Sequence, residues 1–161
     1  DNSAAEKNLT LEIIRRGIKP ERLIFGERLK RKEYLARYRV ADLFLDTHPY
    51  NAGTTASDAL KMGLPVLTYL GQSYQARMAA SILNSINLPE LITNSMEEYE
   101  ALAIELATNP DQLTKIKDKL HNNLSVAPLF DTPLFTKNLE SAYTQMYERH
   151  QKGLEPDHIY V

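Results

Sequence analysis

"ADLFLDTHPYNAGTTASDALKMGLPVLTY", residues 41–69, decides the fold. Residues 41–48 read as a strand. Leu43, Phe44 and Leu45 are consecutive and apolar, the pattern of a strand covered on both faces. A turn-rich loop, 49–53, leads into an amphipathic helix from about Thr54 to Met62. Gly63 stops that helix, and residues 65–69 form the next strand.

Outward from this unit the alternation continues. Upstream, residues 3–16 read as a helix, with Ala4, Leu9, Ile13 and Ile14 at helical spacing and Gly17 as its stop. "RLIF", 22–25, reads as a short strand, and 30–39 as a helix burying Leu35 and Tyr38. Downstream, 74–86 is helical and "ELIT", 90–93, is a short strand. Three helices follow, at about 96–108, 110–123 and 133–152, with Pro110 well placed to open the second. The tail, "GLEPDHIYV", is turn-prone and is expected to pack along the surface.

Alternating helix and strand over the first two-thirds predicts an α/β, Rossmann-like open parallel sheet with helices on both faces. The last third is helical. A single domain is expected over residues 1–161. A Rossmann-like half opens with a strand, whereas this chain opens with a helix, and on Asp1 rather than Met. A first strand is therefore expected upstream.

The chain has 161 residues, 43% apolar and 25% charged, an ordinary globular balance. Its formal net charge of -2 argues against a general nucleic-acid binder. It has no cysteine, which excludes disulfides, thiolate metal sites and a thiol nucleophile, and suits the cytosol. No apolar run approaches a membrane span, and no signal peptide opens the chain. There is no internal repeat of 20–50 residues.

In open parallel sheets, ligands bind outside the carboxyl ends of the strands. The loop 46–53 leaves one such end. A helix start offers unpaired amides and partial positive charge, suited to an anion. Gly53 allows close approach, and Thr54 and Thr55 add two hydroxyls. Asp58 would repel a phosphate, but lies one turn in on the face of Thr54, where a carboxylate can accept from a ribose diol. The combination suits a nucleoside diphosphate. The same residues have a second reading: Thr55-x-x-Asp58 is a capping-box-like pattern. There is no P-loop.

Residues 28–39 hold six basic side chains and two tyrosines. Such a run is a solvated face, a nucleic-acid surface, or a base pocket in which Tyr34 stacks while backbone near Leu29 and Arg31 reads the base edge. None of His48, His121, His150 and His158 has metal-ligand spacing to a partner; His48 lines the cleft or is a satisfied loop residue. Asp46 either lines the cleft or forms a turn. Arg77 either faces the phosphates or makes a structural ion pair. The stripe Leu139, Tyr143, Met146, Tyr147 reads as core contact of the last helix. No nucleophile–base arrangement and no G-x-S-x-G elbow is present.

The run "LFLDTHPYNAGTTASDALKMGLPVLTYLGQSYQARMAASIL", 43–83, resembles the carboxy-terminal catalytic half of the O-GlcNAc transferase and SPINDLY family of glycosyltransferases. The likeness continues through "PELITNSMEEYEALAIELATN", "APLFDTPLFTKNLESAYTQMYERHQKG" and the closing "PDH". It implies a GT-B architecture of two Rossmann-like lobes, of which this chain is similar to the second, donor-holding one. The amino-terminal lobe and a tetratricopeptide array are expected upstream.

By that resemblance, Gly53, Thr54 and Thr55 hold the donor diphosphate and Asp58 the ribose. Leu29 and Arg31 read the base through backbone, Tyr34 stacks on it and Arg37 is a nearby basic contact. Tyr50 falls where the sugar-side loop passes. The implied reaction is inverting transfer of a sugar from a nucleotide sugar to Ser or Thr of a protein, without metal or other cofactor. The donor implied is a UDP-sugar, with GlcNAc the sugar; the SPINDLY branch uses GDP-fucose. In the animal enzyme a histidine stands at the position of Gly53 and another at that of Tyr34, which leaves UDP against GDP open. A non-catalytic scaffold lobe is the remaining reading. The family's catalytic lysine and general-base candidates match nothing here, so no catalytic residue is expected within this chain, and the chain alone is expected to be inactive. The resemblance and composition together imply a cytoplasmic protein with a protein acceptor, and no nucleic-acid or membrane partner.

Overall fold

The computed structural model describes residues 2–161. Asp1, the first residue of the domain expected over 1–161, lies outside them. The chain divides into two compact units, one ending at Tyr34 and the other spanning Leu35–Val161.

The first unit is built on α1, Ser3–Arg15. The Asn2 side chain caps it, accepting from the amides of Ala4 and Ala5 at 3.1 and 3.3 Å. A 3-10 turn, Pro20–Arg22, follows. The strand expected at 22–25 does not form. Ile24 is 86% exposed, and an apolar run becomes a strand only where a neighbouring edge takes its hydrogen bonds. The next helix, α2, Arg31–Arg37, runs across the boundary between the units and ends in a 3-10 turn, Tyr38–Val40.

The second unit carries the sheet. Its elements are β1 (Phe44–Leu45), α3 (Thr54–Lys61), β2 (Val66–Tyr69), α4 (Met78–Ser85) and β3 (Ile92–Thr93). Then come α5 (Met96–Thr108), α6 (Pro110–Asn123) and α7 (Thr132–Gln151). The three strands lie parallel in the order β1-β2-β3. Phe44 sits opposite Val66, and Thr68 opposite Ile92. The fold is thus the expected open parallel sheet with flanking helices.

Successive strand residues point to opposite faces. Val66, Leu67 and Thr68 are all fully buried, so both faces of the central strand are covered. The edge strand is different. Leu43 and Phe44, on opposite faces, are partly buried against the core, while Leu45 is 54% exposed, and regular strand shrinks from 41–48 to two residues.

The core gathers Leu60 and Leu64 around the end of α3, Val66 of β2, Leu83 of α4, Leu106 of α5, and Ile116 and Leu120 of α6. Each such side chain contributes roughly 1.5–3 kcal/mol on burial. Helix starts follow local chemistry. Ser95 caps α5 by accepting from the Glu98 amide at 3.1 Å, while Glu98 Oε2 accepts from the Asn94 amide at 2.8 Å. Asn109 caps α6, with Pro110 at its first position. The α7 stripe departs from expectation: Leu139, Tyr143, Met146 and Tyr147 are exposed rather than core. Periodicity placed them on one face, but among the described residues nothing buries it. No helix of the described residues is long and apolar enough to cross a membrane.

Candidate functional site

The carboxyl ends of β1 and β2 are joined by polar bonds from Asp46, the residue just past β1. Asp46 is 7% exposed. Its Oδ1 accepts from the amides of Thr47 and Ala52 at 2.9 and 2.8 Å, closing the loop that leads to α3. Its Oδ2 accepts from the Thr68 hydroxyl at 2.7 Å. Its backbone carbonyl accepts from the Tyr99 hydroxyl at 2.9 Å. The Thr93 hydroxyl in turn donates to the Thr68 carbonyl at 2.9 Å. A buried polar ladder therefore crosses all three strands. Asp46 is a turn former, and it also pins the loop to the central strand. Its main partners lie 22 and 53 residues away, so no local sequence signal could have found them.

Half-burial, and secondarily the Asp46 charge, push the Tyr99 hydroxyl up to about 12. It therefore stays protonated and donates across the physiological range.

The loop so held delivers α3. Gly53 is the N-cap and, as a glycine, brings no side chain to cap the helix itself. Thr54 and Thr55 are its first two residues and are exposed; Asp58, one turn on, is buried. The reading of Thr55 as the capping residue is thus corrected, since Gly53 holds that position. Thr55 lies inside the helix, where its hydroxyl is past the capping position. Tyr50 projects from the same loop, 72% exposed, its carbonyl accepting from the Thr47 hydroxyl at 2.7 Å.

The loop after β2 lies alongside. The Asn51 amide donates to the Gln75 carbonyl at 3.3 Å. The His48 ring packs on Tyr69, centroids 4.4 Å apart. A Cβ on Gly71 would stand 2.5 Å from the Ala76 Cβ and 3.0 Å from His48 Cε1. A Cβ on Gly53 would meet the Met78 Cγ at 3.4 Å, so the starts of α3 and α4 touch. Arg77, at the head of α4, is exposed. The ion pair considered for it is not formed among the described residues.

The structure brings Tyr50, Gly53, Thr54, Thr55 and Asp58 together on one loop and one helix start. Leu29, Arg31 and Tyr34 belong to the first unit, and Arg37 to the second. Leu29 is partly exposed just ahead of α2, and Arg31, Tyr34 and Arg37 lie within it. The Arg31 guanidinium lies 5.7 Å from the centroid of the Tyr34 ring.

A parallel sheet whose first strand leads through a loop into a glycine-opened helix defines the Rossmann-like class of folds. Residues 2–139 match Glycosyl transferase family 41, and the chain belongs to that family. It is 34% identical over 160 residues to the probable UDP-N-acetylglucosamine–peptide N-acetylglucosaminyltransferase SEC of Arabidopsis thaliana, covering 99% of this chain and 16% of that protein. It is 33% identical over 141 residues to the probable UDP-N-acetylglucosamine–peptide N-acetylglucosaminyltransferase SPINDLY of Petunia hybrida, covering 87% of this chain and 15% of that one. Among solved structures, a lysine-to-methionine mutant of the Thermobaculum terrenum O-GlcNAc transferase superposes with a TM-score of 0.84 at 33% identity. That match covers 91% of this chain and 28% of the other. The chain therefore spans about a sixth of the length of these curated relatives.

Proposed function

We propose that this chain is the donor-binding lobe of an inverting protein O-glycosyltransferase. Residues 1–161 form one lobe of a two-lobed GT-B enzyme whose remaining parts, a tetratricopeptide array among them, lie on a longer polypeptide. The observation that carries this reading is the glycine-opened start of α3, reached from the carboxyl end of β1, with Thr54 and Thr55 exposed and Asp58 one turn in, in a chain of this family.

Transfer of a sugar to a serine or threonine hydroxyl breaks the bond between the anomeric carbon and the diphosphate. The diphosphate leaves with added negative charge. First-turn amides and the hydroxyls of Thr54 and Thr55 donate to that charge, and the helix dipole adds roughly 0.3–1 kcal/mol. Asp58 accepts from the ribose diol. Leu29, Arg31, Tyr34 and Arg37 form the base side, and Tyr50 lies toward the sugar. No cofactor or metal takes part. The donor is a UDP-sugar, with GlcNAc the transferred group, the acceptor a protein, and the setting cytoplasmic.

Calorimetric titration of the longer protein with UDP and with GDP tests the reading. UDP is expected to bind, and Asp58→Ala to weaken it about tenfold. Preference for GDP would assign the lobe to GDP-fucose transfer instead. Binding of neither nucleotide would leave a non-catalytic scaffold lobe.

A further inference from the structure

The helix start and its two threonines offer a diphosphate only neutral donors. A cation is presented by the neighbouring loop. Residues 70–77 fold back tightly: the Gly71 amide donates to the Ala76 carbonyl at 2.8 Å, and the Ala76 amide to Ser73 Oγ at 3.2 Å. The Gly71 position has no room for a Cβ, so the loop has a set shape. It ends on Arg77.

Arg77 opens onto a groove of about 970 Å³, shared with Leu70, Gln72, Tyr74, Ser81 and Asn84 among others. No carboxylate lines this groove, and among the described residues none pairs with the guanidinium. The next residue, Met78, is the one that meets Gly53, and Gln75, two residues before, binds the Asn51 amide. The backbone before the guanidinium is thus tied through Gln75 to the loop that leads into α3, and the side chain of the residue after it reaches Gly53. Desolvating a diphosphate without a counter-charge is unfavourable, and arginine's planar fork suits phosphate oxygens.

We infer that Arg77 is the cationic residue that engages the donor's distal phosphate, and that it sets the preference of this lobe for nucleoside diphosphates over monophosphates. The inference rests on the donor-lobe reading above. It is a binding role, and it adds a charged contact to the neutral ones at Thr54 and Thr55.

The test uses the longer protein, its Arg77→Ala and Arg77→Lys variants, and four ligands: UMP, UDP, GMP and GDP. Melting temperatures of all three proteins are expected to agree, because Arg77 is exposed and unpaired. Arg77→Ala is expected to weaken the preferred diphosphate about tenfold while shifting the matching monophosphate less than twofold. Arg77→Lys is expected to recover part of the loss, with a steeper dependence on salt. A diphosphate affinity unchanged in Arg77→Ala, or an equal loss for mono- and diphosphate, overturns the inference alone. Wild-type protein that binds no diphosphate overturns the donor reading and the inference with it.

Discussion

The Thr68 hydroxyl donates to Asp46 Oδ2 at 2.7 Å, with both side chains buried. The same carboxylate accepts from the Thr47 and Ala52 amides, so one group from the edge strand satisfies three donors. Asp46→Ala leaves all three without it and is expected to cost about 3 kcal/mol in urea unfolding. Thr68→Val keeps the volume, removes one donor and is expected to cost about 1–2 kcal/mol. The double variant should fall short of the sum of the two, because they share the bond. Full additivity would show that the ladder does not act as a unit.

Gly71 sits where the loop after β2 meets both Ala76 and His48. Gly71→Ala drives a methyl into a space of 2.5 Å beside the Ala76 Cβ. The backbone must shift, at about 1–3 kcal/mol. Adding Ala76→Gly should restore much of the stability, since it removes the atom that is struck. Equal denaturation midpoints for wild type and Gly71→Ala would mean that the loop is looser than its hydrogen bonds indicate.

Tyr99 gives stability a dependence on alkaline pH. The folded protein holds this proton up to about 12, against 10.0 for an unperturbed tyrosine. The unfolded chain therefore releases it first as pH rises. The stabilisation is complete below about pH 10 and drains away as pH climbs toward about 12. Urea midpoints of wild type and Tyr99→Phe, compared at about pH 9 and about pH 11, read this directly. The gap between the two proteins should narrow at the higher pH; a constant gap would remove Tyr99 from the account.

The helical parts were legible because their signals are local. Gly63 after α3 and Pro110 at the head of α6 each act within a turn or two. The strands were harder. Residues 22–25 and 43–45 have similar apolar runs, yet only the second finds a neighbour, in residues 66 and 67. Pairing is decided by distant chain, which a local run does not contain. The α7 stripe shows a related limit, since a repeat of apolar residues names a face and not what covers it. At the candidate site the helix start and its donors were readable in order. Thr55-x-x-Asp58 has the spacing of a capping box, yet the N-cap is Gly53, whereas at α5 Ser95 does cap and Glu98 accepts from the Asn94 amide. The fixing of the loop through Asp46 was out of reach for the reason that governs the strands.

The ladder from Thr93 through Thr68 to Asp46 runs across the strands rather than along them. A hydroxyl on one margin of the sheet thereby steadies the loop that leaves the opposite margin. Small residues that look like filler at positions 68 and 93 behave as rungs, and swapping either for an aliphatic side chain of equal bulk would slacken the far end of the ladder as well as its own.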